Sequence, residues 1–269
     1  MDSKREDPNS LSSSKPGLEG FFETMLRRYK VAMHIFTVMP LYGLCSVLLA
    51  FGLFPSVALV QATLELTAAW PGAFRTFAIA LSLPLAYLAY GMSMVFILPF
   101  VNKVGRFNLT AWRGTYYSAP AVKWYIHNAL TYVLRFTFLE FITPTPIFNL
   151  FYSMMGMKIG DGVVINSTYF SDPSLITLGE KVTIGGSATI VGHYGQGGYL
   201  VLAPVVIGAR ATIGLKASVM GGVTIGEDAK ILPHSVVLPK TEIPAGETWG
   251  GVPARKISLD DLKIGKKAS

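Results

Sequence analysis

Residues 207–243 read IGARATIGLKASVMGGVTIGEDAKILPHSVVLPKTEI, with Ile207, Ile213, Val219, Ile225, Ile231, Val237 and Ile243 at every sixth position. Glycine follows Ile207, Ile213 and Ile225 directly, and alanine fills the fifth place of the hexad at Ala211, Ala217 and Ala229, as Ala188 does upstream. A six-residue apolar period fits neither the 3.6-residue period of a helix nor the two-residue period of a simple strand. It fits a triangular prism in which each hexapeptide forms one flat face and three make a coil, a parallel β-helix. The apolar residue points inward, the small fifth residue fits the narrow interior, and the glycine is read as the place where the backbone turns tightly.

Leu178, Ile184 and Ile190 keep the same interval, as do Ile159 and Ile165. Offsets of 13 residues between Ile165 and Leu178 and of 17 between Ile190 and Ile207 mark two places where a loop breaks the register. The β-helix is therefore expected over residues 154–257, with a short basic tail over 258–269.

The first half has a different composition. Apolar types make up 51% of the 269 residues and charged types only 14%, against roughly a quarter in a typical soluble domain. A net charge of +7 on so few charges points to an anionic membrane surface rather than to nucleic acid. Cys45 is the single cysteine, so an intrachain disulfide and a cysteine metal cluster are both excluded, and four dispersed histidines make no metal site.

Between Lys30 and Glu65, and again between Arg75 and Lys103, the chain carries no formal charge over more than the ~20 residues that a membrane-spanning helix needs. Two spans are expected at about 31–60 and 76–101, within a membrane domain covering 18–153. Residues 1–17, polar and without apolar periodicity, read as a disordered tail. A secretory signal is not expected, because the first apolar run starts late and is too long. Arg27, Arg28 and Lys30 precede the first span and Lys103, Arg106, Arg113 and Lys123 follow the second, while Arg75 alone lies between them. An integral membrane protein with both termini and the β-helix in the cytoplasm follows. The aromatic stretch from about 121 to 153 is broken by Arg135, Glu140, Pro144 and Pro146 and reads as interfacial helices, with a third span the lesser alternative.

The repeat, a Gly192-His193 pair, the run Met155-Gly156-Met157-Lys158-Ile159-Gly160 and the ending Pro244-Ala245-Gly246-Glu247-Thr248-Trp249-Gly250-Gly251-Val252-Pro253-Ala254-Arg255 resemble the hexapeptide-repeat acyltransferases. The finer resemblance is to the membrane-embedded terminal domains of nonribosomal-peptide-synthetase-like proteins of the poly-ε-lysine synthetase type. The resemblance implies a left-handed β-helix and a homotrimer with sites between prisms. Its donor would be acetyl-CoA, another acyl-CoA, or phosphopantetheine on a carrier protein. No adenylation or carrier domain is legible in these residues, so a separate protein would supply an activated aminoacyl donor.

His193 lies in the longer register break, among glycines that allow a shaped loop, and imidazole is the side chain whose ordinary pKa suits a general base near neutrality. A solvated loop histidine is the plain alternative. The resemblance matches His193 to the family's catalytic histidine. It also places Trp249 and the Pro253-Ala254-Arg255 segment beside the donor's thiol arm, against the alternative of an aromatic cap on the open prism end. Gly221 and Gly222 offer backbone N–H groups to a thioester oxyanion. Arg255 and Lys256, with tail Lys263, Lys266 and Lys267, would meet donor phosphates or lie solvated. Tyr194, Tyr199 and Glu140 are read as substrate-binding. His234 falls at an outward hexad position, and His127 and His34 belong to the membrane-proximal half, so none of these three is expected to be the base.

The leading expectation is a membrane-bound acyl or aminoacyl transferase acting on an amine or hydroxyl. An O-acetyltransferase of polysaccharide or lipid-linked sugar synthesis and a non-catalytic trimeric membrane scaffold are the alternatives.

Overall fold

A computed structural model describes residues 7 and 9–258; the side chains of Met33 and His34, and tail Lys263, Lys266 and Lys267, lie outside the described residues. The helical half comprises α1 (Gly17–Arg28), α2 (Lys30–Leu66), α3 (Gly72–Val104) and α4 (Ala119–Leu134). A π-helical turn at Arg135–Leu139 leads from α4 into α5 (Glu140–Ile142) and then α6 (Pro146–Met154).

α2 and α3 are long and apolar enough to cross a membrane. They pack as an antiparallel hairpin because small residues let the backbones approach. A Cβ on Gly52 would lie 2.4 Å from Met94 Sδ, and Ser56 Oγ donates to the Ala86 carbonyl at 2.6 Å. Their outer faces carry exposed Phe51, Phe54, Phe74 and Phe77. The aromatic stretch that follows is one unbroken helical run from Ala119 to Ile142, through α4, the π turn and α5, with α6 set off from it by residues 143–145.

The expectation of a disordered tail over 1–17 needs correction for its described part. Ser13 donates to Glu23 at 2.8 Å, Lys15 pairs with Glu23 at 2.8 Å and Arg27 donates to the Ser12 carbonyl at 3.0 Å. Glu23 is fully buried, so these cations and hydroxyls supply the partners that a buried carboxylate requires. Residues 1–6 and 8 lie outside the described residues.

From Lys158 the chain winds as a three-faced parallel β-helix. One face stacks Ile159, Leu178, Ile207, Ile225 and Ile243, and the second stacks Ile165, Ile184, Ile213, Ile231 and Trp249. The third face stacks Phe170, Ile190, Val219 and Val237. Ala188, Ala211, Ala217 and Ala229 are fully buried, as the hexad pattern predicts.

The role read for the hexad glycines is different from the one expected. Gly208, Gly214 and Gly226 do not have positive φ; the left-handed corners fall instead at Arg210, Lys216, Asp228, His234 and Lys240. Each corner residue donates its N–H to the coil before it, as His234 does to the Leu215 carbonyl at 2.8 Å. What requires glycine is stacking. A Cβ on Gly214 would lie 2.5 Å from Pro233 N, and one on Gly226 would lie 2.4 Å from Ala245 N. Any side chain there would push adjacent coils apart.

One hydrophobic core runs through both halves. Leu130, Leu134, Phe148, Phe151 and Tyr152 continue into Phe170, Ile165 and the stacked Ile rows. α6 thus plugs the first end of the prism, and each of its fully buried aromatics contributes roughly 1.5–3 kcal/mol by leaving water.

A buried polar joint ties the halves together. His127 Nδ1 bonds Asn102 Oδ1 at 2.8 Å, Asn102 Nδ2 donates to Asn108 at 2.7 Å, and Ser174 Oγ accepts from Leu109 N at 2.9 Å. His127 is fully buried, and that burial lowers its pKa to about 4, with the nearby Asp172 charge opposing the shift. The unfolded chain binds a proton at His127 near pH 6.5 while the folded chain does not until pH 4. Stability is therefore unaffected above about 6.5, falls as pH drops from 6.5 to 4, and levels off below 4, a loss of about 3 kcal/mol. Denaturant unfolding in detergent should show this slope, and His127→Gln should flatten it; an equal slope in both proteins would contradict the assignment.

Candidate active site at the irregular coils

The two register breaks meet in space. The longer one leaves the prism at Gly192 as a hairpin of His193–Gln196 and Tyr199–Leu202, closed by Gly197 and Gly198, both at positive φ. It returns at Ala203, whose N–H donates to the Gly192 carbonyl at 2.8 Å. A strand not anticipated from the sequence, Trp112–Thr115, adds to the hairpin's far edge in antiparallel register. The shorter break carries Asp172, in the left-handed conformation at φ 62°, leading into the 3-10 turn Pro173–Leu175.

His193 Nδ1 lies 2.5 Å from Asp172 Oδ2. Asp172 is fully buried, while the His193 side chain keeps 24% of its surface. The other carboxylate oxygen, Oδ1, accepts from Trp124 Nε1 and from Asn128 Nδ2, each at 2.7 Å. Asn128 Oδ1 in turn accepts the Asp172 backbone N–H at 3.1 Å, so Asn128 grips the aspartate at two points. The Trp124 ring meets the His193 ring edge-on, with centroids 5.1 Å apart. Against a carboxylate oxygen the imidazole donates Nδ1–H, which leaves the lone pair on Nε2. Orientation by a buried carboxylate with a free Nε2 is the arrangement a general base needs.

The remaining expected residues distribute as follows. Gly221 packs under the His193 hairpin, where a Cβ would sit 2.9 Å from His193 N. Gly222 donates its N–H to the Ala203 carbonyl at 3.2 Å, which engages the amide that an oxyanion would need. Tyr194 is buried beside His193, with Lys240 Nζ 5.9 Å from its ring. Tyr199 lies beneath the Arg113 guanidinium at 4.2 Å. Glu140 accepts from Thr168 Oγ1 at the seam between α5 and the first coil. Trp249 continues the Ile231 row at the far end of the core and donates to Glu247 at 2.9 Å. Lys256 is paired with Glu247 at 2.5 Å, whereas Arg255 is exposed beside it. His234 is an exposed corner residue.

Asp172, Trp124 and Asn128 were not singled out from the sequence. The signal for Asp172 was available: it lies inside the 13-residue offset, the first of the two irregularities along the chain.

No family model matches the chain. Over 185 residues it is 27% identical to a delta-poly-L-ornithine synthetase of Acinetobacter baumannii, covering 69% of this chain and 14% of that protein. That match is longer than the segment from Met154 to the C-terminus, so it reaches into the helical half. Over 109 residues the chain is 32% identical to a serine acetyltransferase of Helicobacter pylori, covering 39% of this chain and 63% of that one. The chain thus spans a seventh of the synthetase and under two thirds of the acetyltransferase. Among solved structures, a hexapeptide-repeat acetyltransferase from Vibrio cholerae complexed with acetyl coenzyme A is 27% identical, with a TM-score of 0.34 over 38% of this chain and 60% of that one. The resemblance to hexapeptide-repeat acetyltransferases extends to a poly-amino-acid synthetase.

Proposed function

We propose that this chain is a membrane-bound acyltransferase of the hexapeptide-repeat type that transfers an acyl or aminoacyl group from a thioester to an amine or hydroxyl. The observation that carries the reading is the His193–Asp172 pair, with Nε2 free at the mouth of the irregular coils. A thioester donor, acyl-CoA or a carrier-bound phosphopantetheine, supplies an activated acyl carbon and a stable thiolate leaving group. His193 Nε2 takes the proton of the acceptor N–H or O–H as the new bond forms to the acyl carbon, and returns it to the departing sulfur as the C–S bond breaks. Asp172 holds the ring and stabilises the imidazolium formed between the two steps. Exposed Arg255 suits a donor phosphate, and Lys256 would have to leave Glu247 to join it.

The synthetase match that extends into the helices favours an amine acceptor and the aminoacyl variant. Membrane insertion is supported by the exposed Phe and Leu faces of α2 and α3, which cost too much to leave in water. The cation-rich flanks favour cytoplasmic termini and prism, and exposed Val206, Leu215 and Leu238 on the prism's outside suit packing in a homotrimer. The test is thiol release from acetyl coenzyme A, and from an ornithinyl-pantetheine thioester, by detergent-purified protein with L-ornithine or L-serine added. Acceptor-dependent release is expected, fastest with the amine side chain. No release from either donor would overturn the enzymatic reading in favour of a scaffold.

A further inference from the structure

The carboxylate that orients His193 is not held by the prism. Its other oxygen, Oδ1, receives both of its side-chain donors, Trp124 Nε1 and Asn128 Nδ2, from α4 in the helical half. Asn128 also accepts the Asp172 backbone N–H, on a residue held in the left-handed conformation. Trp124 and Asn128 are four residues apart, so they project from one face of α4, and that face meets the 13-residue break. The same helix carries His127, which binds Asn102 at the end of α3. Two sets of hydrogen bonds thus meet on α4: one ties it to the end of an apolar helix through His127, and the other ties it through Trp124 and Asn128 to the aspartate and on to the imidazole.

We infer that Trp124 and Asn128 are positioning residues, and that docking of α4 from the helical half sets the Asp172 carboxylate and through it the tautomer and aim of His193. This inference rests on the acyl-transfer reading for its kinetic consequence and on geometry alone for its structural one. The prism by itself supplies His193 and Asp172 but neither donor to Oδ1. Removing those donors frees the buried carboxylate to rotate toward other partners, and an imidazole displaced by even part of an ångström loses rate steeply.

The test is a double-mutant cycle on the full chain in detergent. Trp124→Phe removes the Nε1 donor and leaves a smaller aromatic ring beside His193; Asn128→Leu keeps the volume and removes both contacts with Asp172. Each should lower kcat roughly tenfold or more and leave KM for the thioester within twofold. In an Asp172→Ala background the same Trp124→Phe change should alter kcat by less than twofold, because its effect passes through the missing carboxylate. An equal loss in both backgrounds would assign Trp124 a merely structural role and overturn the inference. A second readout is independent of turnover. The Nδ1–H proton of 15N-labelled His193 should resonate far downfield in the unsubstituted protein and shift or vanish in Trp124→Phe and Asn128→Leu. An unchanged resonance in both variants would likewise overturn the inference, whereas failure of transfer by the unsubstituted protein would remove only the acyl-transfer reading.

Discussion

Replacing His193 by alanine is expected to lower kcat for acyl transfer roughly 10²–10⁴-fold, the usual contribution of a positioned general base. Alanine alone is an imperfect probe. It would leave Asp172 Oδ2 fully buried without its 2.5 Å donor, at a cost of about 1–3 kcal/mol to the fold. His193→Asn separates the two effects, since its side-chain amide donates to Oδ2 as Nδ1–H does and offers nothing that takes a proton at neutral pH. Both variants should lose activity alike, while the asparagine variant unfolds at a temperature close to that of the unsubstituted protein. Steady-state kinetics with acetyl coenzyme A and an amine acceptor, alongside thermal unfolding, measure both. Retained turnover in His193→Asn would show that the proton goes elsewhere.

The prism was legible because a six-residue period is a geometric statement about three flat faces, and the stacked rows follow it from Ile159 to Ile243. Its interruptions were legible too, as offsets of 13 and 17 residues. Sequence spacing says that a loop leaves the prism but not which loops touch, so His193 stood out by its chemistry while Asp172 read as part of a gap. Trp124 and Asn128 sat in a stretch whose aromatic content suits a membrane interface equally well, and only tertiary packing turns that helix face toward the prism. His127 shows the same limit: read as an interfacial residue, it is fully buried in the joint between the halves. Trp112–Thr115 has no alternating pattern to announce a strand, and pairs because the hairpin presents an edge. The glycines after Ile207, Ile213 and Ile225 were read as turn residues, because a repeat of glycine looks the same whether φ or coil-to-coil distance demands it.

Asp172→Asn should cost nearly as much as loss of the base itself, with little loss of stability. The amide is isosteric with the carboxylate, and its orientation is decided by the side with two donors. Trp124 Nε1 and Asn128 Nδ2 both point at Oδ1, so the amide oxygen settles there and the NH₂ group faces His193 Nδ1. The imidazole must then accept at Nδ1, which moves its proton to Nε2 and removes the lone pair that takes the acceptor's proton. A wrong tautomer in an otherwise intact site lowers kcat by as much as about 10⁴-fold in a His–Asp arrangement of this kind, and a loss of 10²–10⁴-fold is expected here. Asp172→Ala makes the contrast: it leaves three donors unanswered in a buried site and should lower the unfolding temperature as well as the rate. The measurement is kcat and KM beside the imidazole ¹⁵N shifts of His193, which report which ring nitrogen is protonated. An active Asp172→Asn with an unshifted tautomer would mean that Trp124 and Asn128 do not hold Oδ1 in solution, and the carboxylate would then be an accessory to the fold rather than the group that aims the base.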